Sequence, residues 1–131
     1  MDPDLELIAR TFRVLDSDSY EQALPYIADD FVMETPPSMA SEPRVYRGPD
    51  GVRLWWESFL EAMDSVRLET LAIEGAGPDR AIVSFVIRAR GQSSGIEAEQ
   101  RAFALATTSH GKISGFEFFT ELELAREAAR R

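Results

Sequence analysis

The sequence predicts an α+β fold in which a curved antiparallel sheet wraps around helices. Two stretches, 5–15 and 52–63, carry apolar residues at helical spacing. From residue 64 onward the apolar residues instead alternate with a period of two, which is typical of strands. A chain of 131 residues is long enough to bury a core. We therefore expect one domain, 1–131.

Two helices and a strand are expected in the first third of the chain. The first helix is predicted to begin at Asp2 and to continue to Leu15. Ser19 followed by Gln22 is a capping-box pattern, which predicts a second, short helix. A short strand is expected over 31–35.

A proline-rich loop and a longer helix are expected next. Three prolines within 35–43 exclude a helix or a central strand and favour a loop at the rim of the sheet. Gly48 opens a helix whose apolar face includes Trp55 and Trp56.

The second half of the chain predicts a meander of antiparallel strands. A parity change near Glu69–Thr70 indicates a bulge in the first of them. The other three strands are expected at 80–90, 96–109 and 112–120, and a polar, solvated helical tail over 121–131.

Two turns set the register that we expect between the last three strands. A five-residue loop, 91–95, puts Phe85 opposite Arg101, and the two-residue turn His110–Gly111 puts Arg101 opposite Thr120. One face then carries Val83, Phe85, Ile87, Glu99, Arg101, Phe103, Leu105, Phe116, Phe118 and Thr120. The opposite face carries Ile82, Val86, Ala98, Ala102, Ala104, Ala106 and Phe119.

Composition excludes several classes of function. The net charge of −9 argues against nucleic acid and anionic membrane surfaces as partners. The chain has no cysteine and a single histidine, His110, so neither a metal site nor a cofactor is expected. No apolar run is long enough to span a membrane, and a cytoplasmic location follows by elimination.

Short motifs along nearly the whole chain carry a family resemblance. They are Ala28-Asp29-Asp30-Phe31, Tyr46-Arg47-Gly48-Pro49-Asp50-Gly51, a Gly-x-x-x-Gly hairpin and His110-Gly111-Lys112-Ile113. Their order resembles the SnoaL-like branch of the nuclear transport factor 2-like superfamily. The resemblance implies a cone-shaped α+β barrel with an interior pocket, usually in a homodimer. Relatives include ketosteroid isomerases, polyketide cyclases, limonene-epoxide hydrolases and non-enzymatic binding domains.

The residues that serve as acids and bases in those relatives are missing here. The slots that hold them in the resembled enzymes correspond to Thr11, Thr35, Phe103 and Phe118. The resemblance also implies that the face with the larger aromatic load lines the pocket. Arg101 and Glu99 then become the candidate catalytic pair, as electrostatic anchor and base. The alternative interpretation is a structural ion pair at the wide mouth of the cone.

The predicted pocket and its opposite face suggest three functions. The pocket-lining set is Thr35, Trp55, Trp56, Val83, Phe85, Ile87, Phe103, Leu105, Phe116, Phe118 and Thr120. An isomerase, cyclase or dehydratase acting on a small, mostly apolar molecule is the first hypothesis. A non-catalytic module that binds such a ligand is the second, and an interaction protein with a filled core is the third. The alanine-rich opposite face predicts a homodimer in each case.

Overall fold

A computed structural model describes residues 2–16, 18–36, 45–61, 63–91 and 95–131. Helices lie at α1 (Pro3–Arg13), a 3₁₀ helix (Tyr20–Tyr26), α2 (Gly48–Leu60) and α3 (Leu122–Ala129). Strands lie at β1 (Ile27–Glu34), β2 (Val45–Arg47), β3 (Met63–Gly75), β4 (Arg80–Gly91), β5 (Glu97–Ser109) and β6 (Lys112–Phe119). They form one sheet in the order β2-β1-β6-β5-β4-β3, in which β1 and β6 run parallel and the other neighbours antiparallel. The α+β prediction is therefore confirmed.

The two amino-terminal helices differ in how well the sequence predicted them. The Asp2 side chain accepts a hydrogen bond from the Asp4 backbone N–H at 2.8 Å and caps α1 as expected. Ser19 does not form the predicted capping box. Its hydroxyl instead donates to the Val14 carbonyl oxygen at 2.9 Å, and the helix that follows is a 3₁₀ helix with Pro25 inside it.

The long hairpin of β3 and β4 contains the bulge that the sequence predicted. Thr70 pairs with Phe85 and Ala72 with Ser84, so Leu71 has no partner on β4. A bulge of this kind bends the strand and increases its twist. The predicted proline loop lies mostly outside the described residues, as do residues 92–94 of the predicted hairpin loop.

The register predicted between β4 and β5 is wrong by one residue. Arg90 pairs with Glu97 rather than Ile96, and Phe85 pairs with Ala102 rather than Arg101. The reason lies at the hairpin, where the Gly91 N–H donates to the Ile96 carbonyl at 3.0 Å. Gly91 thus belongs to the strand, and the loop has one residue fewer than expected.

The register predicted between β5 and β6 is correct at the turn and wrong beyond it. His110 and Gly111 both have positive φ, 53° and 77°, and Ser109 pairs with Lys112 as expected. Thr108 then pairs with Ile113, but Thr107 pairs with Gly115. Ser114 is the extra residue of a bulge, and every pair beyond it is shifted by one position.

Because of these two register shifts, each side chain of β5 lies on the face of the sheet opposite to the one predicted. Ala102, Ala104 and Ala106 belong to the main core inside the curved sheet. Phe103 and Leu105 lie on the outer face, where they form a second cluster with Ile82 and with Ala125 and Ala128 of α3. The predicted solvated tail is therefore partly a packing element, because α3 buries two alanines against the sheet.

An ion pair at the outer surface joins α3 to β3. Arg126 Nη2 lies 3.0 Å from Glu74 Oε1, and Arg126 Nε donates to Glu74 Oε2 at 3.3 Å. These hydrogen bonds hold the pKa of Glu74 below its ordinary value and raise the pKa of Arg126. A carboxyl group whose pKa is lowered on folding stabilises the fold above the ordinary glutamate range, and the contribution is lost as the pH falls through the lowered pKa.

We expect Glu74→Gln to lower the melting temperature slightly at pH 7, because both partners are exposed. The difference from the wild-type protein should shrink as the pH falls through the lowered pKa of Glu74, because the carboxyl group then loses its charge in the folded state as well. Thermal melts by circular dichroism at a series of pH values below 7 measure it. Glu121→Gln, a nearby exposed substitution outside the pair, serves as control, and a difference that persists at low pH contradicts the prediction.

Candidate functional site

The inside of the curved sheet is packed with aromatic rings. Trp55 stacks on Phe118 with ring centroids 5.5 Å apart and planes 14° apart, and it meets Trp56 edge-on at 5.5 Å. Trp56 in turn stacks on Tyr20 at 5.6 Å. Phe118 also meets Phe85 at 5.9 Å. The rings thus form one connected wall between α2 and the sheet.

Most of the residues predicted to line the pocket lie inside. Seven of them belong to the main core and are at most 6% exposed: Trp55, Trp56, Val83, Phe85, Ile87, Phe116 and Phe118. Thr35 is buried just beyond the end of β1. Thr120 is exposed, after the end of β6. Phe103 and Leu105 were placed inside by the wrong register and lie under α3 instead.

The interior position predicted for Arg101 and Glu99 is also wrong. Both side chains are exposed on the outer face, because β5 is turned over. Glu99 forms an ion pair with Arg88, which lies opposite it on β4, rather than with Arg101. Arg101 lies opposite Val86. This pair therefore does not face the aromatic interior.

The same reversal removes the surface on which the homodimer was predicted. Ala102, Ala104 and Ala106 are completely buried in the core of one chain. On the outer face, Ile82 is covered by α3, and Phe119 packs against the same cluster. A homodimer stays a prediction, but these residues cannot supply its contact.

Polar side chains inside the protein are few and uncharged. Within the part of the chain that the structure describes, the buried polar residues besides Tyr and Trp are Thr11, Thr35 and Thr108. The Thr11 hydroxyl donates to the Leu7 carbonyl at 2.8 Å, and the Thr108 hydroxyl to the Asp79 carbonyl at 3.4 Å. No Asp, Glu, His, Lys or Arg is buried among the described residues. That interior suits an apolar ligand better than proton transfer.

Two further properties concern metals and membranes. Across the described ranges, no three His, Cys, Asp or Glu side chains come close enough together to hold a metal ion. His110 lies in the exposed turn, where its Nδ1 is 3.0 Å from the Ser109 hydroxyl. None of the helices described here is long and apolar enough to cross a membrane.

Solved structures share this architecture at low sequence identity. TerC, co-crystallised with polyporic acid, superposes with a TM-score of 0.78 at 17% identity over 98% of this chain and 99% of its own. A Mycobacterium tuberculosis protein in complex with estradiol-17β-hemisuccinate superposes with a TM-score of 0.74 at 17% identity, over 94% of this chain and 97% of its own. An NTF2-like protein from Burkholderia thailandensis superposes with a TM-score of 0.76 at 22% identity, over 100% of this chain and 99% of its own. These likenesses establish an NTF2-like fold.

Sequence comparison supplies the family. No curated protein matches the chain. Residues 8–116, most of the chain, match the SnoaL-like domain. The order of motifs noted in the sequence, the cone-like sheet around α2 and this match agree, and the protein belongs to the SnoaL-like domain family.

Proposed function

We propose that this protein binds a small, mostly apolar molecule inside the cone without transforming it. The observation that carries the proposal is the interior wall itself. Trp55 is stacked on Phe118 in a region where the described residues provide no buried ionisable side chain. Aromatic walls with few polar groups are typical of small-molecule sites.

The inward face of β5 supports the same proposal. Ala104 is flanked by Val83 on β4 and by Phe118 on β6, and Ala106 by Phe116 on β6. These alanine methyl groups place a strip of small side chains directly beside large rings. We propose that the body of the ligand lies over this strip, next to Trp55, where a modest movement of rings admits it.

Two structural neighbours were crystallised with ligands that contain several rings. One holds polyporic acid and the other estradiol-17β-hemisuccinate. They support the choice of a multi-ring ligand for this chain. An isomerase, cyclase or dehydratase would need a polar group against its substrate. The residues predicted for that role, Arg101 and Glu99, face away, and this favours binding without chemistry.

Filling the alanine strip should block ligand binding. The test uses N-phenyl-1-naphthylamine, an uncharged apolar probe whose emission rises in dry surroundings and which accepts energy from tryptophan. The chain has two tryptophans, Trp55 and Trp56, so energy transfer reports proximity to the interior wall. We expect saturable binding that Ala104→Leu weakens by about tenfold or more, because the added carbons occupy the site.

Ala72→Leu provides the matched control. It makes the same change on an exposed strand position of β3, and probe binding should stay at the wild-type level. If Ala104→Leu does not fold, as judged by circular dichroism, Ala104→Val introduces a smaller obstruction. Undiminished binding by folded Ala104 variants, or no saturable binding by the wild-type protein, refutes the proposal.

A further inference from the structure

The polar side chain of Gln100 lies on the inner face of the sheet without being buried there. Side chains alternate along a strand, so Gln100 lies on the same face of β5 as Ala102 and Ala104, which belong to the main core. It pairs with Ile87 on β4, another residue of the main core. The register shift that places Arg101 on the outer face therefore places Gln100 on the inner face.

The exposure of its neighbours shows that Gln100 lies where the cone opens. Ala102 is completely buried, whereas Gln100, two residues closer to the hairpin of β4 and β5, is exposed. In the same row of paired residues, Ile87 on β4 is 6% exposed and Leu68 on β3 is 9% exposed. The inner face is thus covered at β3 and open at β5. A ligand inside the cone would reach solvent beside Gln100.

The surroundings of Gln100 leave its amide group available to a ligand. On the inner face its neighbours are apolar, with Ala98 and Ala102 on either side along β5 and Ile87 opposite. Among the described residues, the Gln100 side chain makes no hydrogen bond. A glutamine amide has two N–H donors and a carbonyl acceptor. Gln100 therefore offers a neutral hydrogen-bonding group at the opening of an apolar interior.

Spacing along β5 limits the size of a ligand that could use this group. Gln100 precedes Ala104, beside which the body of the ligand is proposed to lie, by four residues, or roughly 13 Å along the strand. A body of two or three rings and the glutamine side chain can together span that distance.

The chemistry of the opening favours an uncharged carbonyl group on the ligand. A neutral amide does not compensate a full charge, and a charged group is costly to bring to an apolar interior. A hydroxyl group carries a donor of its own, which is costly if it stays without a partner. A carbonyl oxygen is an acceptor only, and one N–H of the glutamine amide is sufficient for it.

We propose that Gln100 determines the specificity of the cone, by donating an N–H to the carbonyl oxygen of an apolar, multi-ring ligand. Ketones and other uncharged carbonyl compounds are then the ligand class that the cone prefers. This proposal rests on the function proposed above and names the ligand class for the same site.

Two naphthalene compounds of matched size test the role of Gln100. 2-Acetylnaphthalene has a ketone oxygen that 2-ethylnaphthalene lacks, and displacement of N-phenyl-1-naphthylamine measures the binding of each. In Gln100→Leu, the dissociation constant of the ketone should rise by about three- to tenfold, because its hydrogen bond is lost. The dissociation constant of 2-ethylnaphthalene should not rise. Equal changes for the two compounds, or no change for either, overturn the proposal.

Two further variants test whether the effect belongs to the N–H donors of Gln100. Gln22→Leu is the matched control, since Gln22 is an exposed glutamine on the 3₁₀ helix, and both compounds should bind it as they bind the wild-type protein. Gln100→Glu keeps the length of the side chain but removes the donors. Its preference for the ketone should fall as in Gln100→Leu. An unchanged preference in Gln100→Glu, or an equal loss in Gln22→Leu, refutes the proposed role.

Ala104→Leu separates failure of this proposal from failure of the proposed function. It should weaken both naphthalene compounds alike, because the added carbons occupy the cone, and undiminished binding in that variant would place the compounds elsewhere and refute the role of Gln100. If N-phenyl-1-naphthylamine does not bind the wild-type protein, both proposals fail. If it binds and only the selective loss in Gln100→Leu is missing, the cone binds ligands and Gln100 does not select them.

Discussion

Phe85→Ala should be among the most destabilising single substitutions in this protein, with an expected loss of about 3–5 kcal/mol in the free energy of unfolding. Phe85 is completely buried, and the centroid of its ring lies 5.3 Å from that of Phe12 and 5.9 Å from that of Phe118. Removing it loses the transfer free energy of the ring and leaves a cavity that the surrounding rings fill only in part. The total free energy of unfolding of a domain of this size is only about 5–15 kcal/mol.

Urea denaturation followed by tryptophan fluorescence measures the loss. The midpoint should fall by on the order of 2 M urea, given the usual dependence of stability on denaturant. Val86→Ala is the control, because Val86 is the next residue along β4, faces outward and is only half-buried. It should cost less than about 1.5 kcal/mol. A loss at Phe85 no larger than that at Val86 would mean that the aromatic wall is not the centre of the core.

Gly51→Ala should destabilise the protein by about 1–3 kcal/mol, although alanine is the better helix former. Gly51 lies in α2, and a methyl group there would stand 2.8 Å from the carbonyl carbon of Tyr46. Alanine in a helix gains roughly 0.5–1 kcal/mol over glycine. The clash is with backbone atoms of β2, which cannot rotate away, so the steric cost exceeds the gain.

A second glycine gives the comparison for that substitution. Gly75, at the end of β3, has nothing within 4 Å of the position that a methyl group would take. Gly75→Ala should therefore change the free energy of unfolding by less than about 0.5 kcal/mol. Equal urea midpoints for the two variants would show that α2 and β2 are not packed as closely as described.

The fold class was predictable because each half of the chain has one dominant hydrophobic period. The inward faces of β4 and β6 were predictable for the same reason, since Phe85 lies between Ser84 and Val86, and Phe116 and Phe118 lie on either side of Glu117. β5 was not predictable in this way. Both of its faces are apolar, with alanines on one side and Phe103 and Leu105 on the other. Alternation cannot choose between two apolar faces.

The error at β5 and the error at α3 have one physical cause. The large side chains of Phe103 and Leu105 can lie outside the main core only if another element of the fold covers them. That element is α3, which was interpreted as a solvated tail because six of the eleven residues in 121–131 are charged. Only Ala125 and Ala128 of α3 are buried, and two small methyl groups do not indicate which element they cover. The same error misplaced the candidate catalytic pair, because Arg101 and Glu99 lie on the same face of β5 as Phe103.

The single extra residue at Ser114 has a consequence for comparing members of this family. Suppose that two relatives differ only in the presence of this residue. A sequence alignment that leaves out the gap here shifts one chain by one position against the other along the last hairpin. Every position on one side of it would then be matched to a residue that points the opposite way. A functional residue carried from one relative to another across this point lands outside the cone instead of inside. Alignments of the last two strands therefore need a gap at Ser114 that is chosen by strand pairing, because similarity of side chains cannot locate it.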